Sequence, residues 1–183
     1  MKKLILTFIL ITVSNVMAAE EVKYTMIGKK ELYEIRKYSD RLVIETETFN
    51  RSNSFRKLFK YISGDNSDKK EIKMTTPVTQ IEKNGNMTMQ FYMPAEFNEN
   101  NAPDPNNSEV KVINMKGGYY AAIIYSGRAS DSNFIKYRNI LEDQLKKDNI
   151  SIISKPIRAT YNSPFTLPIL RRNEVMFKIN KNT

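Results

Sequence analysis

The chain contains no histidine and no cysteine among its 183 residues, and these two absences exclude more chemistry than any motif proposes. Without an imidazole there is no Ser-His or Cys-His catalytic pair, no His-ligated zinc and no histidine axial ligand for a haem iron. Without a thiol there is no disulfide, and no residue for a bacterial lipoprotein to acylate, so stability rests on packing alone. A membrane span is also missing. Spanning a bilayer takes about 20 apolar residues, and the apolar stretch at residues 4–13 is far shorter. Neither paired carboxylates nor a nucleophile motif stands out.

What is present begins with that short stretch. Lys2 and Lys3 precede it, and Val16, Met17, Ala18 and Ala19 follow with small residues at a cleavage point. This is the three-part pattern of a secretory signal peptide over residues 1–18. The expectation is a mature chain from Glu20, one domain over 20–183 with a sizeable core, in the periplasm or secreted. No membrane span would remain, and a monomer is expected. The formal net charge is +9; without Lys2 and Lys3 the balance is 27 basic against 20 acidic residues, a net +7. Such a balance favours anionic partners: nucleic acid, a membrane surface, or a ligand bearing carboxylates. Export argues against nucleic acid. A solvated basic surface without a partner accounts for the charge equally well.

The segment 51–78 is written a second time over 130–157. An offset of 79 carries Phe55 onto Phe134, Lys57 onto Lys136, Ile62 onto Leu141, Pro77 onto Pro156 and Val78 onto Ile157. Two halves, about 31–94 and 110–179, each read as hairpin, helix, hairpin. A cleft between the halves is then the first place to look for a site.

In chain order, a charged lead-in is followed by strand-like runs at 33–38 and 42–49 around Ser39-Asp40-Arg41, read as a hairpin. Ser52 or Asn53 caps a helix whose apolar positions Phe55, Leu58, Phe59 and Ile62 fall on one face, and Gly64 ends it. Pro77 marks a strand start, edge or bulge. Asn84-Gly85, between 78–81 and 87–93, is the strongest hairpin signal of the chain. The Asn- and Pro-rich stretch 95–109 connects the halves. Then come strands at 110–115 and 119–125 around Gly117-Gly118, and a helix capped at Ser130-Asp131-Ser132 with Phe134, Tyr137, Leu141 and Leu145 on one face. Strands follow at 150–153, 157–161 and 171–179, with a turn at Asn162-Ser163-Pro164. Val175, Phe177 and Ile179 alternate against Glu174, Met176 and Lys178. The fold class is α+β: an antiparallel sheet curled by its twist into a distorted β-barrel, built from two pseudo-repeated halves with two flanking helices.

The run Lys73-Met74-Thr75-Thr76-Pro77-Val78, the connector Ala102-Pro103-Asp104-Pro105, Tyr125-Ser126-Gly127, Tyr161-Asn162-Ser163-Pro164-Phe165 and Arg171-Arg172-Asn173-Glu174-Val175 resemble the SOUL haem-binding protein family. The likeness spans about Tyr33 to Lys178. It implies a distorted barrel of two similar halves and non-covalent binding of haem or a related tetrapyrrole without turnover.

Haem is an apolar disc with two propionates, so a site needs an apolar wall and cations at its rim. The first helix offers Phe55, Leu58, Phe59 and Ile62 as wall, with Arg51, Lys57 or Lys60 at the rim. The resemblance adds a basic residue late in the chain, for which Lys178 is the nearest match. The same stripe is also what any helix packed on a sheet requires; core packing is the stronger reading for Leu58 and Ile62, while Phe55 and Phe59 fit either. Some relatives use a histidine ligand, which this chain lacks; haem here is bound without a protein ligand, or through Tyr or Met. No metal site and no catalytic residue are assigned. The cluster from Arg171 to Glu174 is read as a polar network pinning the last strand. Three alternatives stay open: another apolar or amphipathic ligand, a hydrolase using Tyr and Glu in the cleft, and a partner of anionic membranes.

Overall fold

Period-two alternation dominates the chain, and the computed structural model, which describes residues 19–48, 50–83 and 86–180, turns most of it into strands. The expected signal peptide and the Asn84-Gly85 turn lie outside the described residues. The order is β1 (Glu20–Glu21), β2 (Thr25–Lys29), β3 (Glu34–Tyr38), β4 (Arg41–Thr48), α1 (Arg51–Ile62), β5 (Thr75–Thr76), β6 (Val78–Lys83), β7 (Asn86–Tyr92), β8 (Lys111–Met115), β9 (Gly118–Tyr125), α2 (Asp131–Lys147), β10 (Ile157–Thr160) and β11 (Asn173–Ile179), with a 3-10 turn at Pro168–Leu170 before the last strand. Nine strands form one antiparallel sheet in the order β2-β3-β9-β11-β10-β6-β7-β4-β8, curled into a half-barrel, while β1 pairs with β5 alone. This is the α+β distorted barrel with two helices that the sequence implies.

Directly opposed residues of an antiparallel pair share a face. Phe91, Val78, Thr160, Asn173 and Tyr125 therefore form one row across the middle of the sheet. That face carries both helices. Leu58, Tyr61 and Ile62 of α1 pack with Leu42, Ile44 and Phe91 into one core. Leu141 and Leu145 of α2 pack with Ala121, Ile123, Val175 and Phe177 into another. The opposite, concave face carries the row Ile81, Ile157, Met176 and Ala122, with Tyr38, Tyr120, Val22 and Tyr24 around it.

The helix ends follow local chemistry. Ser130 caps α2 as expected, its hydroxyl accepting from Asn133 N. The cap of α1 is Asn50 instead of Ser52 or Asn53, its Oδ1 accepting from both of those amides at 2.9 and 3.2 Å; an Asn can satisfy two of the orphan N–H groups of a first turn. Gly64 follows the last turn of α1 with φ +102, a conformation that suits a residue without Cβ.

Two predicted hairpins are corrected. β3 and β4 do not pair with each other, nor do β8 and β9; β3 pairs with β9 and β4 with β8 in a single unbroken register, Glu34 opposite Ala122, Tyr38 opposite Gly118, Arg41 opposite Met115 and Glu45 opposite Lys111. The two segments thus form one long bent ribbon. Its two corners touch: Gly117 N–H donates to Asp40 Oδ1 at 3.0 Å, and a Cβ on Gly117 would stand 2.3 Å from the Tyr38 carbonyl oxygen. Turn residues announce a bend, but not whether the chain reverses after it. The hairpin around Asn84-Gly85 does form, with Lys83 opposite Asn86.

Smaller departures are at the edges. The lead-in contains β1 and β2, whose mostly exposed side chains give no alternating signal. Conversely, 150–153 contributes only a bridge between Ile152 and Ile179. Pro77 separates β5 from β6 after a cis Thr76–Pro77 bond.

Candidate binding cleft between the two helices

Both helices begin over the middle of the sheet, on the same face, and a cleft of about 330 Å³ opens between their first turns. Arg51 forms the α1 side. Phe134, Ile135 and Arg138 form the α2 side, and Gln80, Met87 and Arg158 the floor, with Glu82, Asp131 and Pro156 at the margins. Gln80 and Arg158 face each other across β6 and β10, so the floor lies where the strands after each helix meet.

Asp131 clamps it. Its Oδ1 accepts from Arg51 Nη2 and from Arg158 Nη2, each at 2.6 Å, tying α1, α2 and the floor together. These two bonds, Arg51's first, hold the Asp131 carboxyl below its ordinary range. Arg158 also donates to Ala129 O at 3.2 Å, and its guanidinium lies 4.4 Å from the Phe134 ring centre; burial lowers its pKa. Gln80, on the floor, has its Oε1 buried without a donor among the described residues.

Arg51, Phe55 and Phe59 recur every four residues, which lines them up along one stripe of α1. Phe55 stacks on Phe59 at 5.9 Å and meets Phe91 edge-on at 5.2 Å. Yet the two phenylalanines are 42% and 49% exposed, so the stripe that starts at the cleft remains half uncovered. Leu58 and Ile62, by contrast, are inside the α1 core. Lys57 is engaged elsewhere, its ammonium 2.7 Å from Glu109 on the connector, and Lys60 is exposed in the last turn. Lys178 stands on the concave face with Glu174 and Met176, its ammonium near Lys116 O and the Tyr120 ring. Of the residues singled out in the sequence, Arg51, Phe55 and Phe59 come together; Lys178 does not join them. Asp131, Arg138 and Arg158 were missed as site residues. A usable signal existed, because the offset of 79 that pairs Phe55 with Phe134 places the two helix starts in equivalent positions.

The concave face holds a different kind of polar group. Glu174, fully buried, accepts two bonds from Arg36 at 2.7 and 3.1 Å, two from Arg172 at 3.0 and 2.7 Å, and one from Tyr161 Oη at 2.9 Å. Burial raises the Tyr161 phenol far above its ordinary value and pushes that of Tyr38 up to about 12. Arg41 fills the space between the rings of Tyr38, Tyr92 and Tyr120, 4.2 to 5.8 Å from their centres. A carboxylate with this many donors and no access to solvent pins a strand; it is not poised to move a proton to substrate. This is the pinning network read from Arg171 to Glu174, with Arg36 as the partner the sequence did not reveal. The lining of the inter-helix cleft contains no tyrosine. Among the described residues no cluster of acidic groups could hold a metal ion, and no helix is long and apolar enough to cross a membrane.

The chain resembles known proteins at two depths. It is 28% identical over 172 residues to Heme-binding protein 2 of Mus musculus, covering 82% of this chain and 78% of that one. Solved structures share the fold at much lower identity. An uncharacterized conserved protein from Listeria innocua superposes with a TM-score of 0.62 at 10% identity, over 84% of this chain and 94% of the other. A hydrolase from Listeria innocua gives 0.59 at 10% identity with the same coverage, and the EcmrR C-terminal domain 0.56 at 12%, over 86% and 98%. These three speak for the architecture alone. The model of the SOUL heme-binding protein family, however, matches residues 19–178, and the chain belongs to that family.

Proposed function

We propose that this protein binds haem or a related tetrapyrrole non-covalently, without turnover, in the cleft between α1 and α2, after export to the periplasm or beyond. Membership of a heme-binding family carries the ligand class, and the relative named Heme-binding protein 2 supports it. The observation that carries the location is the half-exposed Phe55–Phe59 pair continuing the stripe of Arg51 out of a cleft edged by Arg51 and Arg138. The N-terminal pattern carries the export.

The residues fit the group. Phe134 and Ile135 face one side of the cleft, and Phe55 and Phe59 extend the apolar wall of the other, which suits a flat hydrocarbon plane. Arg51 and Arg138 stand where propionates can be met by planar guanidinium forks. Asp131 and Glu82 oppose any anion, so the rim is only weakly cationic and the apolar wall must supply most of the affinity. A volume of about 330 Å³ lies at the low end for ligand pockets, and the macrocycle therefore lies partly on the exposed phenylalanines. No imidazole or thiolate is available to the iron; the thioether of Met87 is the soft donor in the lining. Iron when bound supplies redox chemistry of its own, and the chain supplies burial and orientation. The lining pairs no tyrosine with its two carboxylates, Glu82 and Asp131, and two arginines already hold Asp131, which favours binding over hydrolysis.

The test is a titration of the chain from Glu20 with hemin and with iron-free protoporphyrin, followed by absorbance at moderate salt. Saturable one-to-one binding of both pigments, weakened about tenfold by a joint Phe55→Ala and Phe59→Ala change, is expected. Linear, unsaturable uptake that ignores the double change defeats the haem reading and leaves another amphipathic ligand for the same cleft.

A further inference from the structure

The four most exposed large apolar side chains among the described residues lie in one loop: Phe165 at 95%, Ile169 at 79%, Leu170 at 67% and Leu167 at 64%. The loop joins β10 to β11 and belongs neither to the inter-helix cleft nor to either core. Its exposure is built in, because its backbone is tied to itself and to its neighbours. Thr166 N donates to Ser163 O at 3.0 Å, Leu170 N to Leu167 O at 2.9 Å, and Gly127 N to Pro168 O at 2.8 Å. Arg171 sits beneath it and donates from its guanidinium to Thr166 O and Pro164 O.

The sequence that flanks the loop is basic. From Asn149 to Asn173 the chain contains no acidic residue; Arg158 and Arg172 are paired with Asp131, Glu174 and Glu21, which leaves Lys155 and Arg171 outside any ion pair among the described residues. Arg128, exposed, follows the Gly127 that bonds the loop. Arg171 is bonded to carbonyls, so its charge reaches the surface without a carboxylate to cancel it.

We propose that residues 163–170 form a wedge that inserts into the interface of an anionic lipid bilayer. A tip of four large apolar chains on a backbone held open, above a base of uncompensated arginine, combines the two signals that reversible membrane docking requires, apolar burial and attraction to anionic headgroups. A patch of scattered single hydrophobics is ordinary on a protein surface, but four within six residues on one protruding turn are not. The loop projects instead of forming a groove, which suits a fluid surface better than a shaped protein partner. The chain's net positive charge points the same way. This inference is independent of the haem reading, since it uses none of the cleft residues.

The chain from Glu20, which contains every element of the described fold, is mixed with vesicles of phosphatidylcholine alone or with a third phosphatidylglycerol. Binding to the anionic vesicles only is expected, weakened at least tenfold by Phe165→Ser with Ile169→Ser and weakened again by raising salt from about 0.1 to 0.5 M. The sequence has no tryptophan, so Phe165→Trp gives a single reporter; its emission shifts to the blue and is quenched by spin-labelled lipid if the loop inserts. Lack of vesicle binding at low salt overturns the proposal. So does binding that leaves the tryptophan in water and ignores the double serine change, which is adhesion by surface charge. Self-association that the serine changes abolish, seen by sedimentation velocity without vesicles, overturns it as well and assigns the loop to a contact between copies.

Discussion

The two faces of the sheet solve the same problem, the burial of one side of a strand, with opposite materials. On the helix side Leu58, Phe91, Leu141 and Phe177 fill two apolar cores, and the space left between them is an open cleft. On the concave side an ion-pair network around Glu174, tyrosine rings around Arg41 and the N-terminal residues Val22 and Tyr24 fill the equivalent space. Apolar side chains pack without direction, so two helices can stand apart and leave a cavity between their cores. A buried carboxylate tolerates no such gap, because each unpaired charge costs several kcal/mol. The buried charge is thus gathered on one face, and the inter-helix cleft opens on the face that carries the two apolar cores.

Removing Glu174 should break the contrast most. Glu174→Ala leaves Arg36 buried with only Glu34 as a carboxylate partner, and a loss of about 3–5 kcal/mol in denaturant unfolding is expected; a loss under about 1 kcal/mol would mean the network is ornamental. Next is Leu58→Ala, which opens a cavity in the α1 core at a cost of about 2–5 kcal/mol while leaving the cleft lining in place. Phe55→Ala with Phe59→Ala should cost little stability, within about 1 kcal/mol, because both rings are half exposed. The same pair is expected to weaken hemin about tenfold, and equal losses of stability and affinity would return these rings to the core.

The clamp at Asp131 gives a smaller, pH-dependent effect. Its folded pKa is depressed by Arg51 and Arg158, so its contribution is present above the unfolded carboxylate value, near 3.9, and is lost as pH falls below that toward the folded value. Melting temperatures of the parent chain and Asp131→Asn should differ at neutral pH and converge below about pH 4. Smallest is Lys178→Ala. With its ammonium on the concave face, the change should leave hemin affinity unaltered in the absorbance titration; a clear loss would move the ligand to the other side of the sheet.

Much of this was legible from residue order. Local periodicity revealed both helices, the Ser130 cap, the Gly64 stop and the strands read at 78–81, 87–93 and 171–179, because those features depend on neighbours within one turn or one hairpin. Around the cleft, Phe55 and Phe59 were visible within the apolar stripe of the first helix, and Arg51 as one of three candidate rim cations. Leu58 and Ile62 were read as the stronger core positions and Phe55 and Phe59 as fitting either role; the roll of the helix against the sheet buries the first pair and leaves the second half exposed.

The sequence by itself determined the classes of chemistry available: no imidazole, no thiol, a basic excess, an α+β alternation and the family motifs. Tertiary structure alone decided the partners. Asp40 and Gly117 read as the turns of two hairpins, yet close contact between those corners threads both strand pairs into one long ribbon. Arg36 and Glu174, 138 residues apart, become one ion pair, and Arg51, Asp131 and Arg158 become one clamp. The physical reason is range. Side-chain period is fixed by the backbone and written locally, whereas pairing between distant strands is chosen by which faces can be buried together, and no short window of sequence contains both sides of that choice.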